Sequence, residues 1–317
     1  MRIPLPLILC LCLSAITIFF AAAGVYGELV RTWLPVESAG AAGKWDDVTL
    51  LDCLDMTTGN YYSSNYQEDE DRHTGAFFAA ETFAGKIDAS FSWPAREPPG
   101  QRHIYHTTDT FILGASMQRI LQAQSPHAEG GDHITDIWHL LVDSIFKPLQ
   151  LSSSAFSSLR TYDDAQQPYS GYGLFFKRDD LARLCHWILN GGGALPTTAS
   201  RANQSLPQIR QRRQVVLDPT ALNAALQREP LNRGLNPNHP SLDLRYNYGF
   251  WAQLFQGSSF GCPSGVEHYY QPYLSGYGGI RVVMMGNGIV YSYVSDNGEF
   301  PSMADAIQES RKFGALC

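Results

Sequence analysis

Tyr105-His106-Thr107-Thr108-Asp109-Thr110-Phe111-Ile112-Leu113-Gly114 is the stretch on which the fold turns. Pro98-Pro99-Gly100 leads into it as a turn signal. Beyond it, Phe111, Ile112, Ala115, Met117, Ile120 and Leu121 form the buried stripe of a helix that Thr108 is placed to cap. With sixteen tyrosines in the chain, an arbitrary one is a core residue with a satisfied hydroxyl. Tyr105 is set apart by its surroundings. Leu54-Asp55-Met56-Thr57-Thr58-Gly59 lies upstream, and Ser275-Gly276-Tyr277-Gly278-Gly279-Ile280 opens a strand-like run downstream.

These three motifs together resemble the β-lactamase-related serine hydrolases, which include class C β-lactamases, penicillin-binding esterases and aminohexanoate-dimer hydrolases. The resemblance covers most of the chain after residue 28. It implies an α/β (α+β), β-lactamase/transpeptidase-like fold, an antiparallel sheet flanked by helices with an inserted helical domain. It also implies hydrolysis of an ester, amide or lactam through an acyl-enzyme. Tyr105 takes the place of the family's proton-shuttling Tyr, and Thr107 the third position of the Tyr-x-Asn or Tyr-x-Ser motif. Tyr277, Gly278 and Gly279 match the strand-edge motif, where a glycine lets substrate backbone approach and a strand N–H forms half of an oxyanion hole. Ile280 departs from the Gln of the aminohexanoate-dimer branch. Tyr61, with Tyr62, falls in a loop that covers substrate in that branch. A glycine turn into a strand is the bland alternative for Gly278 and Gly279.

The nucleophile of the resembled family is a Ser in Ser-x-x-Lys, the two side chains on one helical face, with a desolvated Lys as base. No such pair precedes Tyr105. Ser14-Ala15-Ile16-Thr17 offers a Thr, which cannot act as the base. Ser144-Ile145-Phe146-Lys147 follows Tyr105 and ends a helix running into Pro148-Leu149, so it reads as a decoy. Two readings stand: a divergent or N-terminally truncated hydrolase, or a non-catalytic relative that keeps the cleft for binding.

Residues 1–27 combine Arg2, an apolar run and Ala21-Ala22-Ala23-Gly24. They read as a secretory signal, as an uncleaved membrane anchor, or as a degenerate core helix of the domain that follows. Export to the periplasm or cell exterior is the expectation. Residues 28–317 form one domain, helical over about 45–193 and sheet over about 245–317. A net charge of −7 argues against nucleic-acid partners and leaves a small-molecule substrate or ligand. Beyond the apolar run, Cys53, Cys185, Cys262 and Cys317 allow three pairings or none.

Helices are expected from Val48 to Met56 with Thr49 and Asp52 as a capping pair, from Phe77 to Phe83, over Ile134–Ile145, from Asp179 or Asp180 to Gly191, and from Met303 to Phe313. Tyr246–Phe255, Ile280–Met285 and Ile289–Val294 alternate as strands, with an Asn287-Gly288 hairpin turn between the last two. The acidic run Glu68-Asp69-Glu70-Asp71 reads as a solvated face, and residues 194–245 show no periodicity. Neither His-Glu-x-x-His nor paired Cys-x-x-Cys occurs, so no zinc and no cofactor is expected. Without a Gly-x-Ser-x-Gly elbow, the α/β-hydrolase fold is disfavoured.

Overall fold

The computed structural model describes residues 25–34, 44–124, 136–193, 195, 217–237, 239, 242–276, 279–295, 299–300 and 302–317. The apolar segment up to residue 24, Ser14, Tyr277 and Gly278 lie outside the described residues.

Ten α-helices are described: α1 (Val30–Trp33), α2 (Leu50–Leu54), α3 (Tyr66–His73), α4 (Gly75–Ala79), α5 (Phe83–Phe91), α6 (Thr107–Gln124), α7 (Ile137–Leu141), α8 (Arg178–Leu189), α9 (Pro219–Ala225) and α10 (Met303–Ser310). Local chemistry sets most of their starts. Thr49 and Asp52 form the expected capping box on α2, and Asp136, Asp218 and Ser302 cap α7, α9 and α10. Gly191 and Gly192, both at positive φ, follow the end of α8.

Five strands, β1 (Leu244–Asn247), β2 (Phe250–Gln256), β3 (His268–Gly276), β4 (Ile280–Met284) and β5 (Val290–Val294), make one antiparallel sheet in sequence order. Their register aligns Tyr246, Trp251, Tyr273, Val283 and Tyr291 in a row across all five strands. Because side chains alternate along a strand, this row shares one face. Met56, Met303 and Ile307 cover it. The opposite face carries Phe250, Leu274, Val282 and Met284 into the larger core, where α2, α6, α7 and α8 meet. The expected antiparallel sheet with flanking helices is what forms.

Several expectations are corrected. The single strand over Tyr246–Phe255 is two strands joined by Tyr248-Gly249, both at positive φ, as a two-residue hairpin turn requires. The single helix over Phe77–Phe83 is broken after Ala79, because Thr82 turns its side chain to the Gly85 N–H and starts α5. Strand β3 and helix α9 were not expected. The acidic run belongs to α3, and within it Asp69 is fully buried rather than solvated. Of the four cysteines, Cys262 and Cys317 are bonded, while Cys53 and Cys185 are buried free thiols.

Candidate active site

Tyr105 lies in an extended segment whose neighbours are pegged on both sides. Ile104 donates its N–H to the Met56 carbonyl at 2.9 Å. His103 is buried, its Nδ1–H donating to the Asp55 carbonyl at 2.9 Å and its ring lying 4.3 Å from that of Tyr246. Burial pushes this imidazole down to about 4, so it is neutral near pH 7. The Asp55 carboxyl accepts the Tyr248 N–H at 2.7 Å, which fixes the β1–β2 turn. Burial nevertheless raises it to about 7.

On the other side, His106 is buried with its ring 4.1 Å from Trp93. Its Nε2–H donates to Asp69 at 2.9 Å. Burial lowers the His106 pKa and Asp69 opposes that shift. Asp69 also accepts the N–H groups of Tyr62 and Ser63. Asp109 faces His106 Nδ1 at 3.8 Å. Its carboxyl is pushed well above the usual range by burial and by Glu70. The effect of these anchors is a preorganised phenol, since backbone and neighbours leave the segment little freedom.

The Tyr105 side chain is half-buried and stacks on Trp251 at 6.2 Å between centroids. Trp251 stacks on Tyr273 at 6.4 Å, and the Arg281 guanidinium lies 5.1 Å from the Tyr273 ring. Arg281 pairs in register with Ser275. Three rings therefore run from Tyr105 to Tyr273 on β3, and the Arg281 guanidinium of β4 lies beyond them.

The other expected site residues that are described, Gly279, Thr107 and Tyr61, have structural partners. Gly279 is at positive φ, and a Cβ there would fall 2.2 Å from Ser295 Oγ and 2.4 Å from the Glu299 carbonyl. Its carbonyl accepts the Ser295 N–H at 3.1 Å. The missing side chain thus admits another segment of this chain. Thr107 opens α6 and is buried, its N–H and hydroxyl both donating to the Glu70 carboxylate. Glu70 is the cap of this helix, not Thr108, whose hydroxyl has no partner among the described residues. Tyr61 donates its hydroxyl to Glu97 at 3.1 Å, and Glu97 also accepts from Arg102. It braces residues 60–61 against 94–97.

The Ser144-x-x-Lys147 pair lies on the turn that follows α7. Lys147 is exposed and paired with Asp143 at 2.6 Å, while Ser144 sits half-buried in a π-helical turn. The chain has five lysines, at 44, 86, 147, 177 and 312, and Lys86 alone is fully buried. Its nearest serine in the helix, Ser90, donates to the Lys86 carbonyl and not to the amine. The sequence reading puts Asp69 and Glu70 on a solvated face and gives no site role to Lys86 or Trp251. For Lys86 a signal existed, a lone cation in the apolar stretch Phe83–Phe91.

No family model and no curated protein matches the sequence. Solved structures do. A putative 6-aminohexanoate-dimer hydrolase from Bacillus anthracis superposes with a TM-score of 0.57 at 13% identity, over 98% of this chain and 71% of that one. A penicillin-binding protein from Bacillus halodurans gives 0.55 at 15% identity, over 98% and 85%. EstCE1, a hydrolase with promiscuous acyltransferase activity, gives 0.60 at 14%, over 98% and 84%. Likeness at such identities speaks to the fold.

Proposed function

We propose that this chain, which has the β-lactamase-related serine hydrolase fold, is a divergent hydrolase acting on small ester, amide or lactam substrates. The observation that carries this reading is Tyr105, a half-buried phenol held from both flanks and carried on the sheet's aromatic row. In an acyl-transfer cycle a serine oxygen attacks the substrate carbonyl, and its proton passes through Tyr105 to the departing group. Water then adds to the acyl-enzyme and restores the serine as the acid leaves. The Cys262–Cys317 disulfide supports a periplasmic or secreted location, with residues 1–27 as signal or anchor.

The lysine inventory favours a second reading, a binding protein that has kept the fold without the chemistry. Among the described residues no serine hydroxyl bonds to the amine of Lys86, the one buried lysine. Intact-mass measurement after incubation with benzylpenicillin or a fluorophosphonate separates the two. A stoichiometric adduct on a serine supports the hydrolase. Saturable, adduct-free binding that Tyr105→Ala weakens supports the binding protein, and no interaction at all sinks both. Where hydrolysis is measured, Tyr105→Phe is expected to lower turnover at least about tenfold.

A further inference from the structure

Lys86 is enclosed in an aromatic box. Its Nζ donates to the Phe77 carbonyl at 2.8 Å and to the Tyr172 hydroxyl at 2.9 Å. The rings of Phe77, Tyr169 and Tyr172 lie 4.3, 4.5 and 5.6 Å from it. Among the described residues no carboxylate pairs with this ammonium. The titratable groups that face it are Tyr169 and Tyr172, both on one loop. From α4 it meets only the Phe77 ring and carbonyl. The Arg119 guanidinium of α6, the helix packed on α5, lies over Phe83 instead.

The same loop touches the candidate site. Between the two tyrosines sits Gly171, where a Cβ would fall 2.6 Å from both Thr107 Cγ2 and Thr110 Oγ1. One side of the loop thus clasps Lys86 while its backbone lies on the first turn of α6, directly after Tyr105.

We propose that Lys86 is a positioning residue for the candidate site, fastening loop 168–173 as a wall against the Tyr105–Thr107 turn, and that opening this wall takes up a proton on Lys86. The inference rests on reading Tyr105 as part of the site. The physical ground is desolvation. An ammonium without a counter-ion costs free energy when buried, even with hydrogen bonds and ring faces around it. Burial accordingly lowers the Lys86 pKa to about 8. In the opened loop the amine meets water and regains its ordinary affinity for a proton. The open form therefore binds the proton more tightly. Opening is constant with pH below about 8 and falls by up to about tenfold per pH unit above it.

Hydrogen exchange of the amides in 169–173, corrected for intrinsic rates and followed in the full chain from pH 6.5 to 9.5, tests this. The wild type is expected to show a flat opening equilibrium that breaks downward near pH 8, and Lys86→Met a flat line throughout. A wild type without the break, or a Met variant that keeps it, overturns the proposal. Should Lys86→Met fail to fold, Tyr172→Phe removes one oxygen that accepts from the ammonium and should move the break to lower pH. An unmoved break counts against it. Gly171→Ala, which pushes the loop off Thr107, is expected to raise opening at pH 7 at least about tenfold and to weaken benzylpenicillin binding. Unchanged opening there removes the wall. If Tyr105→Phe alters neither turnover nor binding while the break persists, the functional reading falls and the loop latch stands.

Discussion

The two flanks of Tyr105 are anchored by different chemistry. Upstream, the anchor is a neutral imidazole on a backbone carbonyl, wedged against a ring. Downstream, two carboxylates from α3 do the holding. Asp69 gathers His106 and two backbone N–H groups, and Glu70 caps α6 through Thr107. A neutral imidazole costs less to bury than a charged carboxylate, which is safe only while each donor around it stays in place. The downstream flank should therefore be the fragile one.

The largest test of that contrast is Asp69→Ala. It strands His106 and two N–H groups in a dry site and should destabilise the protein by about 3–5 kcal/mol. The urea midpoint at unchanged slope measures it, and a loss below that of an ordinary surface substitution would erase the contrast.

The upstream flank should instead declare itself through pH. Asp55 is raised from 3.8 to about 7, so folding retains a proton there, and its contribution is lost as pH rises across that interval. His103 is lowered from 6.5 to about 4, so its contribution is lost as pH falls across that interval. Between about 4 and 6.5 the two oppose each other. Asp55→Asn should leave stability rising with pH, and His103→Gln should leave it falling, each by at most about 1.4 kcal/mol per unit. Slopes of the same sign in both variants would refute the assignment.

Glu70→Ala should cost about 1–2 kcal/mol, the scale of a lost helix cap, read from thermal unfolding. Smallest of all is Tyr61→Phe. It should shift stability within about 0.5 kcal/mol and leave ligand binding unchanged, because the hydroxyl meets Glu97 at the protein surface. A marked loss of binding would return Tyr61 to the site.

The order of these effects follows what the sequence could disclose. Thr49 with Asp52 and the Asn287-Gly288 turn are legible because their partners lie within a few residues, and α8 begins at Arg178, one or two residues before the expected Asp179 or Asp180. Asp69 meets His106, and Glu70 meets Thr107, across 37 positions. Nothing in a run of four acids announces such partners. Strand β3 hides behind Pro272 and consecutive aromatics, which break the two-residue alternation. The β1–β2 turn hides because Tyr248 adopts a left-handed backbone that its residue type does not advertise. For α9 the signal was present, since Asp218 followed by Pro219 is a helix start, but polar neighbours obscured it. Tyr105 is singled out in the sequence by motif resemblance alone, whereas its setting depends on tertiary contacts.

The bond between Cys262 and Cys317 spans 55 positions and encircles β3, β4, β5 and α10. In the chain-entropy picture such closure contributes about 4 kcal/mol by narrowing the unfolded ensemble. It also changes what damage means for this part of the molecule. A protease that nicks any exposed peptide inside the ring leaves both fragments tethered, with strand neighbours still opposite one another. The sheet that carries the aromatic row can then re-form after a cut that would scatter an open chain.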